Sequence, residues 1–297
     1  MSRIAYVDGR YVPHAHARVH IEDRGYQFAD GVYEVILLLG GRPIDAGLHL
    51  GRLARSLAEL AIPAPVGDAA LTRIIAEVVR RNRLRDGLVY LQVTRGVARR
   101  DHGFPRPAPR PTLVLTARRI PPFPTSLDGW QATAITHPDQ RWARCDIKSI
   151  ALLPNVLARQ AARQAGATEA ILFAPDGTVT EGAATNIWIV DAEGVLRTHP
   201  LGHAILPGCT RAALLGLLER GNIRHEERAF SLDELRAARE VMLSSATSYI
   251  KPIVAVDGAT VGQGLPHAGR AGPVAQLLFD LFAAHVRAAG AGGPGGK

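Results

Sequence analysis

The stretch that most restricts the fold of this chain is Ile120-Pro121-Pro122-Phe123-Pro124-Thr125. Three prolines in six residues remove backbone donors and fix φ, so neither a helix nor a sheet ladder can run through it. Strand and helix patterns occur on both sides. The 297 residues are therefore read as two lobes, 1–121 and 126–287, with a Gly-rich tail, 288–297, expected to be disordered.

In the N-terminal lobe, Ile4–Val7 and Tyr11-Val12 flank Asp8-Gly9, the signal of a two-residue hairpin. Residues 32–39 read as a strand. Leu50, Leu53, Leu57 and Leu60 recur at helical spacing, as do Leu71, Ile74, Ile75, Val78 and Val79. Strands follow at 88–95 and 112–118. In the C-terminal lobe, strands are expected at 130–136, 169–174, 178–180, 185–191 and 241–243, with an Asp-Gly hairpin over 253–261. Helices are expected at 154–165, 210–220, after the capping box of Ser231 and Glu234, and at 272–287. Strands and helices mix without strict βαβ alternation, which is the pattern of an α+β fold in two lobes.

A chain that is 47% hydrophobic and 21% charged is expected to be globular. Its net charge of +8 raises nucleic-acid binding as a possibility. The basic residues occur as scattered pairs, such as Arg80-Arg81, Arg99-Arg100 and Arg118-Arg119, with no interleaved stacking aromatics, and a basic enzyme surface is the better reading. No apolar run of about 18 residues predicts a membrane span. MSRIAYVDGR lacks the apolar core of an export signal, so a cytoplasmic location is expected, with Cys145 and Cys209 as thiols.

Of the 35 Lys and Arg residues, three are lysines: Lys148, Lys251 and Lys297. A retained lysine in such a chain suggests work that arginine cannot do. A desolvated amine can lose its proton and attack a carbonyl, whereas guanidinium stays charged. Lys148 sits among apolar neighbours in Ile147-Lys148-Ser149-Ile150-Ala151-Leu152-Leu153, just ahead of a helix; an ion pair with Asp146 would be the ordinary alternative. Lys251 reads as an edge-strand lysine, and Lys297 ends the tail.

The sequence has no Walker A lysine loop, no G-x-G-x-x-G following a strand, no H-E-x-x-H and no C-x-x-C. Pro200 and Gly202 break the helix that His199 and His203 would need to face one metal, so no metal is expected. Glu181 opens Glu181-Gly182-Ala183-Ala184-Thr185-Asn186 at a strand entry. A carboxylate there could keep a pyridine nitrogen protonated, or be a surface turn residue. Leu206-Pro207-Gly208-Cys209-Thr210-Arg211 opens a helix whose first N–H groups suit a phosphate, although Thr210 could equally be a plain N-cap. Ser244-Ser245-Ala246-Thr247 offers further donors or simple turn chemistry. Arg100-x-His102, in a loop closed by Gly103-Phe104-Pro105, suits capture of a carboxylate.

Together these residues resemble the fold-type IV pyridoxal-phosphate enzymes, and within them the D-amino-acid aminotransferases. The most specific stretches are Glu22-Asp23-Arg24-Gly25-Tyr26-Gln27-Phe28 with Asp30-Gly31-Val32-Tyr33-Glu34-Val35, and Arg144-Cys145-Asp146-Ile147-Lys148-Ser149. The resemblance implies a two-lobed α+β enzyme with pyridoxal 5'-phosphate between the lobes and Lys148 as its Schiff-base lysine and proton carrier. It implies that Glu181 pairs with the ring nitrogen, and that Arg52, Leu206, Cys209, Thr210, Ser245, Ala246 and Thr247 complete cofactor binding. Tyr33, Arg100 and His102 would bind the substrate carboxylate. Ala183 and Ala184 stand where the family often has serines, and Ala246 where a phosphate-binding threonine is expected. The implied reaction is transamination between a D-amino acid such as D-alanine and a 2-oxo acid such as 2-oxoglutarate, in a cytoplasmic homodimer with no nucleic-acid or membrane partner. Branched-chain L-amino-acid aminotransferase, (R)-amine transaminase and aminodeoxychorismate lyase share the fold and remain alternatives.

Overall fold

Asp8 and Gly9 both adopt positive φ, +44° and +92°, the conformation a two-residue hairpin turn requires. The turn joins β1 (Ile4–Val7) to β2 (Arg10–Pro13). After α1 (Arg24–Phe28) come β3 (Gly31–Leu39), β4 (Arg42–Pro43), α2 (Ala46–Glu59), α3 (Asp68–Arg81), β5 (Gly87–Thr94) and β6 (Thr112–Arg118). The computed structural model describes residues 3–221 and 223–291.

The chain divides into two compact units. Among the described residues, the first comprises 3–122, Ile147–Ala151 and 288–291; the second comprises Phe123–Asp146 and Leu152–Arg287. Lys148, placed in the C-terminal lobe by its position in sequence, therefore groups with the first unit. Ile147 anchors it there, buried in the core of that unit.

In the first unit a six-stranded antiparallel sheet has the order β2-β1-β6-β5-β3-β4. Alternation along β3 buries Val32, Glu34, Ile36 and Leu38 on one face, all at 0% exposure. Leu53 and Leu57 of α2, and Leu71, Ile75, Val78 and Val79 of α3, pack into the same core. Both helices follow the apolar spacing seen in the sequence.

The second unit contains β7 (Ala132–Pro138), α4 (Leu153–Gln164), β8 (Glu169–Phe173), β9 (Val179–Gly182), β10 (Asn186–Val190), β11 (Leu196–Thr198), α5 (Cys209–Arg220) and β12 (His225–Glu227). It continues through α6 (Leu232–Ala237), β13 (Glu240–Ser245), β14 (Tyr249–Val256), β15 (Ala259–Thr260) and α7 (Pro273–Ala291), of which the residues to Arg287 belong to this unit. Its mixed sheet runs β12-β11-β10-β13-β14-β7-β8-β9, with β15 paired to β14. β10 is buried at every position and carries the fully buried Trp188. The capping box of Ser231 and Glu234 opens α6.

Two expectations change. Residues 288–291, read as tail, continue α7; 292–297 lie outside the described residues. Lys251 lies on β14, an interior strand, with its amine 3.7 Å from the Trp130 ring centroid. α1, β4, β11 and β12 are too short to show a period in the sequence.

Candidate active site

In the first unit, residues 148–150 run alongside the start of β3. Tyr33 N–H donates to Lys148 O at 3.0 Å, Ile150 N–H donates to Gly31 O at 3.0 Å, and Val32 bridges Ser149. Gly31 permits this approach. A Cβ there would stand 2.7 Å from Val93 O and 3.1 Å from Ile150 Cδ1. The half-buried Lys148 directs its amine to the Tyr33 face, 4.2 Å from the ring centroid. Tyr33 in turn stacks on Tyr90 at 5.7 Å. Burial, with Tyr33 nearby, pushes the Tyr90 phenol up to about 12. Asp146 receives a two-pronged hydrogen bond from Arg144, 3.0 Å at each oxygen.

A buried polar stripe on α2 faces this lysine segment. His49, Arg52 and Ser56 follow at i, i+3 and i+7, one side of a helix. Ser56 Oγ accepts from Lys148 N–H at 3.3 Å. Arg52 donates from Nε and Nη2 to the two Glu34 oxygens, 2.8 Å each, and His49 Nδ1 lies 2.7 Å from Glu34 Oε2. Burial alone would raise the Glu34 carboxyl. The hydrogen bonds from Arg52 and His49, with the charges of Arg52 and Lys148, outweigh it and hold the group at about 2. Arg52, expected to contact phosphate, is thus held in a fixed plane by Glu34. Neither Glu34 nor His49 was assigned a role from sequence; a carboxylate on the apolar face of β3 was the available signal.

Arg100 and His102 lie on an exposed loop. The Arg100 guanidinium is 4.6 Å from the Phe28 ring centroid, and the His102 ring is 5.4 Å from it. The structure thus groups these two around Phe28 and places Tyr33 with Lys148. Buried Arg24, unassigned from sequence, donates to Asp101 O at 2.6 Å.

In the second unit, Glu181 on β9 is 5% exposed. Its Oε2 accepts from Asn186 Nδ2 at 3.0 Å and from Leu206 N–H at 3.1 Å, and its Oε1 from Arg141 Nη1. Arg141 also donates to Asp139 from Nε at 2.9 Å and Nη2 at 2.7 Å, and to Ala204 O at 3.1 Å. Burial opposes the charge of Arg141, but Asp139 and Glu181 overcome this and raise its pKa. Asp139, despite burial, is held below the usual carboxylate range by Arg141 and Thr180. Glu181 is no surface turn residue; its partners fix its orientation.

The same asparagine links Glu181 to the start of α5. Asn186 Nδ2 also donates to Leu206 O at 3.0 Å, and a Cβ on Gly208 would stand 2.0 Å from Asn186 Oδ1. Gly208 is the N-cap, without a side-chain cap, so Thr210 lies inside the first turn. Cys209 and Thr210 are buried there. Asn186 pairs with Ser244, so the turn after β13 leaves the sheet at this end. In that turn Ser245 Oγ accepts from Thr247 N–H at 3.3 Å and Ser248 N–H at 3.0 Å. Ala246 contributes backbone only.

Each unit holds residues that suit pyridoxal 5'-phosphate. The first supplies an amine on an aromatic face; the second supplies a buried carboxylate gripped by three donors, suited to a ring nitrogen, and a glycine-capped helix start suited to a phosphate. The class these features define is that of pyridoxal-phosphate enzymes. A family model, the amino-transferase class IV, matches residues 31–256, and the chain belongs to that family. It is a pyridoxal-phosphate-dependent aminotransferase with a fold-type IV architecture. Among curated relatives, D-alanine aminotransferase of Bacillus licheniformis is 42% identical over 87% of this chain and 90% of its own. That of Listeria monocytogenes is 40% identical over 94% and 95%. The branched-chain amino acid aminotransferase of Escherichia coli superposes with a TM-score of 0.83 at 24% identity, covering 94% of this chain and 92% of its own. A hypothetical aminotransferase from Mycobacterium tuberculosis, in its PLP-bound form, superposes at 0.80 and 22% identity, covering 96% and 99%. At these identities the two structures share the fold.

Proposed function

We propose that this enzyme exchanges amino groups between D-amino acids, D-alanine foremost, and 2-oxo acids such as 2-oxoglutarate. The observation that carries the substrate class is the near full-length similarity to relatives named D-alanine aminotransferase. Arg100 and His102, grouped on one exposed loop, support a carboxylate-bearing substrate.

Bound pyridoxal 5'-phosphate supplies a carbonyl carbon that exchanges the amino group and a ring that withdraws electrons from the substrate Cα. Lys148 Nζ would hold the cofactor through its carbonyl carbon and, as a free amine, would accept and return the proton at the substrate Cα. Tyr33 orients that amine. Glu181 keeps the ring nitrogen protonated, and Arg141, Asn186 and the Leu206 N–H hold Glu181 in place. The Cys209 and Thr210 N–H groups, the turn of Ser245, Ala246 and Thr247, and Arg52 hold the phosphate. Arg100 and His102 take the substrate carboxylate.

The assembly in this reading is a homodimer. Leu153, Val156 and Leu157, 69%, 56% and 54% exposed, give α4 an apolar outer face that a second copy would cover. Among the described residues no helix is long and apolar enough to cross a membrane; a cytoplasmic location is part of the same proposal. Branched-chain L-amino acids are the competing substrate class, on the strength of the Escherichia coli neighbour's name.

Borohydride reduction of the holoenzyme followed by peptide mapping tests the role of Lys148. The cofactor mass should appear on the Lys148 peptide, and Lys148→Ala should lose both label and turnover. A label on the Lys251 peptide, or normal turnover in Lys148→Ala, would remove Lys148 from its role.

A further inference from the structure

Arg24 is 3% exposed, although nothing in its chemistry favours burial. Its guanidinium is used in three directions. Nε donates to Asp30 Oδ2 at 2.8 Å, Nη1 to Asp101 O at 2.6 Å, and Nη2 to His102 O at 3.4 Å. Asp30 is held in turn by Arg95, from Nε at 2.7 Å and Nη2 at 3.0 Å. Burial would raise the Asp30 carboxyl, but Arg95 and Arg24 bring it below its ordinary value, so the charge Arg24 leans on persists. Arg95 is fixed by Leu60 O at 2.7 Å and Ala61 O at 3.0 Å.

The carbonyls that Arg24 grips belong to the loop carrying Arg100 and His102. Apart from ring contacts with Phe28, neither side chain has a hydrogen bond or ion pair among the described residues. Their polar groups therefore stay available to a ligand, and their placement depends on backbone and on Phe28. Arg24 touches both, with its guanidinium carbon 4.8 Å from the Phe28 centroid. A lysine could keep the charge toward Asp30. It could not reproduce the planar fork that reaches Asp30 and two carbonyls together.

We propose that Arg24, with Phe28, is the mount of the substrate-carboxylate loop: a pair of positioning residues that sets how firmly the enzyme holds its substrates without touching them. This rests on the reading of Arg100 and His102 as the carboxylate-binding pair. Loosening the mount displaces those two side chains and leaves Lys148 and Glu181 as they are.

The test is steady-state turnover of the holoenzyme with D-alanine and 2-oxoglutarate, in wild type, Arg24→Lys, Phe28→Leu, Arg100→Ala and the Arg24→Lys/Arg100→Ala double variant. Arg24→Lys should raise KM for both substrates about 10- to 100-fold, while kcat changes by less than about threefold. The cofactor's absorbance and affinity should stay at wild-type values. The double variant should bind no worse than Arg100→Ala alone, because both changes remove one function. If Arg24→Lys does not fold, Phe28→Leu decides, with the same KM-weighted loss expected. Wild-type KM in the folded mount variant overturns the proposal. An unchanged KM in Arg100→Ala would instead remove the carboxylate-binding reading on which it rests.

Discussion

Replacing Glu34 with Gln should cost about 3 kcal/mol of stability at neutral pH, and two routes lead to that figure. Glu34 is 0% exposed and its oxygens accept both Arg52 hydrogen bonds and the His49 contact. Breaking a buried ion pair by removing one partner costs about 3–5 kcal/mol, because the remaining charge is stranded. Separately, the carboxyl sits at about 2 against 4.5 for an unperturbed glutamate. That gap, at about 1.4 kcal/mol per unit, amounts to about 3 kcal/mol. The folded value lies below the unfolded one, so this contribution is complete well above 4.5 and is lost as pH falls toward 2. At pH 3.5 the wild type should already have lost about 1.4 kcal/mol of it, while the Gln variant, which cannot titrate there, has lost none from this position. Urea unfolding of apoenzyme followed by far-UV circular dichroism, at pH 7 and pH 3.5, measures both numbers. A difference below about 1 kcal/mol at pH 7, or one that does not narrow at pH 3.5, would refute the charged Glu34 cluster.

Gly208→Ala should weaken cofactor binding about tenfold or more, since its Cβ would displace Asn186, which holds both Glu181 and Leu206; equilibrium binding of pyridoxal 5'-phosphate reads this, and unchanged affinity would argue against the linkage. Burial, opposed by Arg141, lifts the Cys145 thiol to about 11 from 9.0, so at pH 8 its alkylation should be about 100-fold slower than that of a free thiol by thiolate fraction alone; peptide mapping that found free-thiol rates would contradict this. Ser231→Ala removes one half of the capping box on α6 and should cost about 1 kcal/mol in thermal unfolding, with no change in turnover.

Much of this was legible in the chain because it was local. The Asp8-Gly9 turn, the leucine spacing of α2 and α3 and the Ser231 capping box are each written within a few residues, and all form as their patterns predict. Lys148 stood out through the scarcity of lysine. What was not legible depends on pairing across long separations. Arg24 reaches carbonyls 77 and 78 residues away, and Arg141 reaches Glu181 across 40. No period records such contacts. Two weaker signals were present: Glu34 breaks the apolar face of β3, and His49, Arg52 and Ser56 place polar groups on a buried side of α2. Each is a local inconsistency of the kind that marks a functional cluster. The grouping of Lys148 with the first unit follows from the burial of Ile147 there and from pairing with β3, neither of which its position after the proline segment discloses.

A half-reaction panel tests the D-amino-acid transamination most directly. Holoenzyme is mixed with D-alanine, L-alanine or L-leucine in the absence of any 2-oxo acid, and loss of the bound cofactor's long-wavelength absorbance is followed together with release of the 2-oxo acid. D-alanine should convert the cofactor rapidly and yield one pyruvate per site, while the L-amino acids leave it essentially unconverted. Faster conversion by L-leucine than by D-alanine would contradict the D-amino-acid reading.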